Sequence, residues 1–192
     1  MKFAGIADEE FIRGEVPMTK QEIRVLTLNK ARIASGATVL DVGAGTGSIS
    51  IEAARLAEGG HVYAIERNPE GVALIRANAQ KFDINNLTII EKEAPDGMED
   101  LPKLDAVIIG GSGKQLSPIL NAADSLLKTG GRIVLNCVTV QTLSQCIEYM
   151  RNNEGYSYEA VQVQVTRLSQ VGPYDMMKAF NPIFIVTCQK NK

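Results

Sequence analysis

The chain has 192 residues, of which 45% are hydrophobic and 22% charged, and a formal net charge of -2 at pH 7. This length suits one domain, and the composition is that of an ordinary globular protein. The small negative charge gives no general attraction to a phosphate backbone, and no apolar run approaches the roughly 20 residues that span a bilayer, so we expect no nucleic-acid partner and no membrane span. Because the N-terminus also lacks a basic-then-apolar signal pattern, a cytoplasmic location is expected.

The residue types that usually bind metals or form disulfides are sparse. The cysteines, Cys137, Cys146 and Cys188, are odd in number and widely spaced, which indicates reduced thiols in a cytosolic protein. A single histidine, His61, cannot build a zinc site by itself. We therefore expect no metal site.

The N-terminal part, residues 1–35, is predicted to be an arm of mixed polarity followed by a helix. The segment Thr19-Lys20-Gln21-Glu22 fits a capping box, in which the Thr19 hydroxyl accepts from a free backbone N–H and Glu22 reaches back to the helix start. The helix is expected to continue to about Ile33 and to end at Ser35-Gly36.

Residues 36–192 are predicted to form the cofactor-binding core, in which strands and helices alternate. The predicted strands are short and apolar and cover 38–42, 61–66, 87–91, 104–109 and 132–139. The predicted helices cover 48–57, 68–82, 115–128 and 141–152. The second of these begins at Asn68-Pro69, a capping side chain followed by a first-turn proline. Nearly continuous apolar strands separated by helices predict a parallel sheet covered on both faces.

The end of the chain breaks this alternation. Residues 158–167 alternate in polarity, a loop is expected over 169–178, and a last strand covers 180–188. Because no helix fits between these strands, they are predicted to pair antiparallel at one edge of the sheet. The predicted fold is a single α/β domain over residues 1–192, a Rossmann-like doubly wound sheet, mostly parallel and seven-stranded, with a C-terminal antiparallel hairpin. Such a sheet resembles that of the class I methyltransferases.

The loop that leaves the first strand, Asp41-Val42-Gly43-Ala44-Gly45-Thr46-Gly47, is typical of sites for adenosine-containing cofactors. Gly43 and Gly45 permit positive φ and close approach of the backbone to a ligand. Asp41 would be unfavourable beside a pyrophosphate, but it suits the ammonium and sulfonium groups of S-adenosylmethionine. The alternatives are a nicotinamide or flavin dehydrogenase, which would favour Gly-x-Gly-x-x-Gly over the Gly-x-Gly-x-Gly found here, and a tight turn that binds nothing.

Further cofactor contacts are expected from neighbouring strand ends. Glu66 closes the second strand, 19 residues after Gly47, where a carboxylate either accepts two hydrogen bonds from a ribose diol or is simply solvated. In class I methyltransferases the region after the third strand contacts adenine, so the resemblance implies that role for Ala94. The full set of predicted cofactor-binding residues is Thr19, Asp41, Gly43, Ala44, Gly45, Thr46, Gly47, Glu66, Arg67 and Ala94.

The fourth strand runs into Ile109-Gly110-Gly111-Ser112-Gly113. Enzymes that methylate exocyclic base amines usually carry Asn/Asp-Pro-Pro-aromatic at this place, and cytosine carbon-5 enzymes use a Pro-Cys nucleophile; the sequence has neither. The carboxylate and amide cluster of metal-assisted catechol methyltransferases is not found either. The remaining glycine-rich floor leaves room for a broad, flat substrate close to the sulfonium.

Several motifs together resemble the decarboxylating cobalt-precorrin carbon-15 methyltransferases. They are Gly5-Ile6-Ala7-Asp8-Glu9-Glu10-Phe11, Val16-Pro17-Met18-Thr19-Lys20, the loop 41–47, the segment 109–113 and Asn181-Pro182-Ile183-Phe184. The resemblance covers nearly the whole chain. It implies S-adenosylmethionine-dependent methylation of carbon 15 of a cobalt-precorrin (cobalt-precorrin-6B to cobalt-precorrin-7), decarboxylation of the ring C acetate, a place in anaerobic cobalamin biosynthesis, and a homotetramer. The alternatives are another class I methyltransferase, acting on a small molecule or tRNA, and a non-catalytic cofactor sensor.

A cobalt-precorrin carries several carboxylates, which Arg or Lys at the cleft rim would bind. The candidate cations are Arg13, Lys20, Arg24, Lys114, Arg167 and Lys178, and each could equally be a solvated surface charge. Tyr174 could lie against the macrocycle, and Gly111 and Ser112 could contact either ligand. No residue is predicted to be an essential general base, because positioning two reactants can supply most of the acceleration.

Overall fold

A computed structural model describes residues 4–192, so residues 1–3 of the predicted arm lie outside it. The strands are β1 (Thr38–Val42), β2 (His61–Ile65), β3 (Leu87–Ile90), β4 (Leu104–Ile109), β5 (Leu127–Cys137), β6 (Tyr156–Val163), β7 (Thr166–Val171), β8 (Tyr174–Ala179) and β9 (Ile183–Lys190). The helices are α1 (Gln21–Ala31), α2 (Ser48–Leu56), α3 (Pro69–Lys81), α4 (Leu116–Leu126) and α5 (Val140–Arg151), with a short 3-10 helix at Asp8–Glu10. Seven strands form one sheet in the order β3-β2-β1-β4-β5-β9-β6, and β7 and β8 form a second sheet of two strands.

The predicted fold class is confirmed, because β1 to β5 are parallel and helices cover both faces of the sheet. Successive residues of β1 belong to two different cores. Leu40 packs in a cluster with residues of α4 and α5, and Val39 packs in a cluster with residues of α1 and α2. β1 lies between β2 and β4, so the strand order reverses there, and in open α/β sheets ligands bind at the carboxyl ends of the strands beside such a reversal.

The predicted antiparallel strand pair at the C-terminus is also confirmed. β9 lies between β5 and β6 and is antiparallel to both. The loop expected over residues 169–178 is wrong, since β7 and β8 form a hairpin in which Leu168 pairs with Met177 and Val171 pairs with Tyr174. Gly172, with a φ of +60°, makes the turn. Apolar and polar residues are mixed on both faces of this hairpin, so its sequence lacks the regular alternation that predicts a strand.

The start of α1 differs from the prediction. The capping box is wrong, because the residue before the helix is Lys20, which makes no side-chain cap. Glu22 instead forms an ion pair with Arg167 at 2.8 Å. The helix ends earlier than expected, at Ala31, because Arg32 adopts the left-handed conformation with a φ of 50°.

The boundary between α4 and β5 also differs. α4 ends at Leu126 and not near residue 128. β5 begins at once because Leu127 pairs with Leu104, and residues 128–131 then bulge out before Arg132 pairs with Ala106. No helix within residues 4–192 is both long and apolar enough to cross a bilayer.

A buried arginine ties the N-terminal arm to α1 and α2. Arg24 is fully buried, and its guanidinium donates to Glu52 Oε1 at 2.6 Å, to Asp8 Oδ1 at 3.1 Å and to two carbonyl oxygens of the arm. Glu52 in turn accepts hydrogen bonds from two backbone N–H groups of the arm. Arg24 is therefore wrong as a substrate-binding candidate, because its charge is used inside the fold.

Candidate cofactor and substrate site

A cavity of about 720 Å³ lies at the carboxyl ends of the parallel strands, a volume typical of small-molecule sites. Its wall contains residues 16–20 of the arm, 41–45, 66–68, 92–94 and 110–113, together with Ile23, Ile49, Ile65, Ile119, Asn136, Val138, Val163, Val165, Phe180, Asn181 and Ile183. Because neighbouring strands lie about 4.8 Å apart, a cavity that crosses from β2 to β9 is roughly 19 Å wide. That width accommodates two reactants side by side.

The two ends of the cavity differ in chemistry. The end at β1, β2 and β3 carries the carboxylates of Asp41 and Glu66, and we call it the acidic half. The end at β5 and β9 is lined mainly by Val138, Val163, Val165, Phe180 and Ile183, and we call it the apolar half. Gly110 and Gly111 form the floor between the two.

Asp41 is fully buried at the base of the acidic half. Its Oδ2 accepts a hydrogen bond from the Ser50 hydroxyl at 2.5 Å, while Oδ1 is buried with no hydrogen-bond partner among residues 4–192. Burial, opposed by the Ser50 hydrogen bond and reinforced by the charge of Glu66, raises the pKa of Asp41 to about 7. A cationic ligand group at Oδ1 would satisfy this oxygen and favour the ionised carboxylate.

Glu66 is 8% exposed and held rigidly at the end of β2. Its Oε2 accepts from the Gly45 N–H and its Oε1 from the Asn68 N–H, both at 2.8 Å. A carboxylate has roughly four lone-pair directions, so both oxygens can still accept from a neighbouring diol. The side chain is therefore preorganised by the same loop that lines the cavity.

The glycine-rich loop touches the loop after β4. Gly43 has a φ of +70°, and a Cβ there would lie 2.5 Å from the carbonyl oxygen of Gly111 and 2.8 Å from its nitrogen. Gly45 has a φ of +57°, and its Cβ would lie 3.0 Å from the carbonyl oxygen of Pro17. The two glycines allow the floor, the arm and the loop to meet, because side chains here would collide with the backbone of Gly111 and Pro17.

A model of the precorrin methyltransferase domain matches residues 10–190. The chain belongs to the precorrin methyltransferase family. It is 42% identical, over 99% of this chain and 100% of the relative, to a Sulfurisphaera tokodaii protein named probable cobalt-precorrin-6B C(15)-methyltransferase (decarboxylating). A Salmonella typhimurium protein named cobalt-precorrin-6B C(15)-methyltransferase (decarboxylating) is 39% identical over 96% of each. The crystal structure of precorrin-6y C5,15-methyltransferase from Geobacter metallireducens has a TM-score of 0.92 and 42% identity, and covers 97% of this chain and 98% of that chain.

Most of the cofactor-binding residues predicted for this precorrin methyltransferase reach the cavity wall. Those that line it are Thr19, Asp41, Gly43, Ala44, Gly45, Glu66, Arg67 and Ala94. Thr46 and Gly47 carry the loop onward into α2 and are not part of the wall. Arg67 is exposed and pairs with Glu93 at 2.5 Å, so its side chain lies at the rim of the cavity.

The substrate-binding candidates are brought together only in part. Lys20, Gly111 and Ser112 line the cavity. Those that do not are Arg13, Lys114, Arg167, Tyr174 and Lys178. Tyr174 and Lys178 are exposed on the β7–β8 hairpin, in the segment predicted to be a loop. The guanidinium of Arg167 is occupied by Glu22 and Asp8, at 2.8 and 3.2 Å.

Sequence reasoning missed the apolar half and one polar residue within it. Val163 ends β6 and Val165 follows it, while Phe180 precedes β9 and Ile183 begins it, so only the tertiary fold places them opposite the glycine loop. Asn136 did carry a signal. It is an amide within residues 133–138 of a predicted strand, and the other residues of that segment are all apolar; buried polar groups in such a place are usually hydrogen-bonded or functional.

Proposed function

We propose that this chain is an S-adenosylmethionine-dependent C-methyltransferase of cobalamin biosynthesis that methylates carbon 15 of a cobalt-precorrin and decarboxylates its ring C acetate. The observation that carries the proposal is one continuous cavity that joins an acidic half, suited to a cationic nucleoside, to a wide apolar half. The full-length relatives, 42% and 39% identical, supply the substrate class. Their names specify carbon 15 and decarboxylation.

The acidic half fits S-adenosylmethionine. Asp41 would hold the ammonium group through its free Oδ1, and Glu66 would hold the ribose diol. The buried Ala94 and the backbone of the loop at 92–94 would lie against the base, and Thr19 would close the site from the arm. When bound, this cofactor supplies an electrophilic methyl group on a sulfonium.

The residues of the chain act mainly by positioning. Asp41 and Glu66 fix the two ends of the nucleoside, and the glycine floor at Gly110 and Gly111 lets a flat macrocycle approach without a side chain between the reactants. The arm segment 16–20 covers the cavity and limits the access of water. Effective molarities for well-oriented reactants are large enough that such positioning can supply most of the rate enhancement.

The substrate is proposed to lie in the apolar half, with its permanent carboxylates at the rim. Lys20 and Ser112 are the lining residues placed to meet them, since an ammonium and a hydroxyl both donate to carboxylates. Arg13, Lys114, Tyr174 and Lys178 would contact the substrate only from outside this wall.

The decisive assay supplies the purified protein with methyl-labelled S-adenosylmethionine and cobalt-precorrin-6B. We expect one labelled methyl group in the corrinoid and the loss of one CO₂, both detected by mass spectrometry. Bulk tRNA serves as the alternative methyl acceptor, and NADH is compared with S-adenosylhomocysteine in equilibrium binding. Labelled tRNA, or preferential binding of NADH, would refute the proposal.

We further propose that residues 1–192 form one domain, that four copies assemble into a homotetramer, and that the protein is cytoplasmic. The exposed hairpin supports the assembly, because it presents large apolar side chains: Leu168, Val171, Tyr174, Met176 and Met177. The cytoplasmic location is supported by the cysteines of the chain, which are free and buried, as expected in a reducing compartment.

A further inference from the structure

Asn136 is a buried amide whose donor has no acceptor. It is 7% exposed and lines the apolar half of the cavity. In that half, as far as residues 4–192 show, no other polar side chain of the wall is more than nine-tenths buried. Its Nδ2 is buried and has no hydrogen-bond partner in the described part of the chain. Buried N–H groups are nearly always paired, so we expect the acceptor to come from the molecule that fills the cavity.

The orientation of this amide is set by α1. The Thr27 hydroxyl donates to Asn136 Oδ1 at 2.8 Å. The same hydroxyl also donates to the Ile23 carbonyl oxygen at 2.8 Å, so its one proton is shared between the two acceptors. The amide oxygen is thereby directed to Thr27, and Nδ2 remains for a ligand.

The position of Asn136 favours the substrate over the cofactor. β5 is two strands away from β1, with β4 between them, which separates Asn136 from Asp41 by roughly 10 Å or more. Asp41 and Glu66 place the nucleoside over β1 and β2. The intervening Gly110 offers no side chain, so the space in front of Asn136 is open to the second reactant.

We propose that Asn136 binds the acetate carboxylate of the cobalt-precorrin that is lost as CO₂, an assignment that rests on the proposed function. The cationic side chains of the wall, Lys20, Arg67 and Lys92, belong to the arm and to the acidic half. A cation would stabilise the carboxylate in the ground state and oppose the departure of its charge. A neutral amide orients the carboxylate with a weaker ground-state attraction.

The step that Asn136 assists is the decarboxylation of the acetate. The bond between the acetate methylene and the carboxyl carbon breaks, and CO₂ leaves. The electron pair of that bond passes into the conjugated macrocycle, and the methylene carbon gains a proton from water. Asn136 neither gives nor takes a proton, and it contacts the carboxylate only until the bond breaks.

The test measures methyl transfer and CO₂ loss separately in Asn136→Asp and Asn136→Leu. Asn136→Asp keeps the size of the side chain but replaces the donor with an oxygen that repels a carboxylate. We expect the ratio of decarboxylated to methylated product to fall at least about tenfold in both variants, the size expected when a hydrogen bond to a charged group is lost. Asn152→Asp, the same change at an exposed site after α5, should leave the ratio unchanged.

Equilibrium binding of S-adenosylhomocysteine reports on the fold and on the cofactor half. We expect both Asn136 variants to bind it within about twofold of the wild type, because β4 lies between Asn136 on β5 and Asp41 on β1 and the effects of distant sites are largely independent. Parallel loss of both reactions at a constant ratio, or loss of S-adenosylhomocysteine binding, would overturn the assignment. A wild-type protein that shows neither reaction would overturn the proposed function itself, which is a different result.

Discussion

Asp41 is buried without a counter-charge, so the affinity of the site for a cationic ligand depends on its protonation state. The pKa of Asp41 is raised to about 7, chiefly by burial. Above this value the carboxylate is ionised and would attract the ammonium group of the proposed ligand. Below it Asp41 is neutral in the empty site, and a cation that binds to its carboxylate must first displace a proton.

For wild-type protein we therefore expect the affinity for S-adenosylhomocysteine to fall as the pH drops below about 7, approaching tenfold per pH unit. Isothermal titration calorimetry between pH 5 and pH 8 measures this directly. Asp41→Asn should bind weakly and with little dependence on pH over that range. A wild-type affinity that stays constant from pH 5 to pH 8 would contradict the role given to Asp41.

The same pKa shift has the opposite consequence for the stability of the ligand-free protein. The pKa of Asp41, about 7, lies above the ordinary value of 3.8, so the folded state binds more protons than the unfolded state between these values. Stability contributed by this group is therefore lost as the pH rises from about 4 to about 7. We expect Asp41→Asn to raise the Tm of the ligand-free protein at pH 8 and to change it much less at pH 4. An equal shift at both values would argue against a buried charge.

At the scale of elements, the packing of the arm against α1 depends on a network of charged side chains whose central members are buried. Arg24 and Glu52 have side chains that are 0% and 1% exposed and lie 2.6 Å apart. Asp8 joins them and also pairs with Arg167 from β7. Removing one partner of such a buried pair leaves an uncompensated charge, which is far more costly than breaking an exposed pair.

We expect Arg24→Met to lower the free energy of unfolding by about 3–5 kcal/mol, measured by denaturant titration. The matched control is Arg76→Met. Arg76 pairs with Glu91 at 3.7 Å, and the two side chains are 64% and 49% exposed. Its loss should lower the free energy of unfolding by about 1 kcal/mol or less. Arg24→Met should also weaken S-adenosylhomocysteine binding, because the loosened arm carries residues 16–20 of the cavity wall. Equal losses of stability in the two variants would show that the buried network contributes no more to stability than an exposed ion pair.

These elements also show what sequence alone can and cannot predict. The roles proposed for Asp41, Gly43 and Glu66 could be predicted from their places at strand ends, because the carboxyl ends of parallel strands meet at one edge. Arg24 could not be assigned, since its partners Asp8 and Glu52 lie 16 and 28 residues away and nothing local distinguishes it from a surface arginine. The contact of Thr27 with Asn136 spans 109 residues, and only the folded chain brings α1 beside β5.

At the scale of the whole molecule, the β7–β8 hairpin stands apart from the main sheet and leaves apolar groups on both of its faces uncovered. Leu168 and Met177 form a cross-strand pair with exposures of 68% and 76%. An isolated two-stranded hairpin is marginal in water, and exposed apolar patches commonly mark association surfaces. A homotetramer would bury this hairpin and stabilise the residues that flank it.

We expect the wild-type protein to show the mass of four chains by light scattering after size exclusion, and the double variant Leu168→Glu/Met177→Lys to show a smaller mass. Val165 and Phe180 flank the hairpin and also line the apolar half of the cavity, so a dissociated variant should have a raised KM for the corrinoid substrate. Its affinity for S-adenosylhomocysteine should stay near that of the wild type, because the acidic half lies at β1, β2 and β3, at the opposite end of the cavity from Val165 and Phe180. A wild-type protein that is monomeric at micromolar concentration would refute the tetramer, and a variant that dissociates without any change in KM would separate assembly from substrate binding.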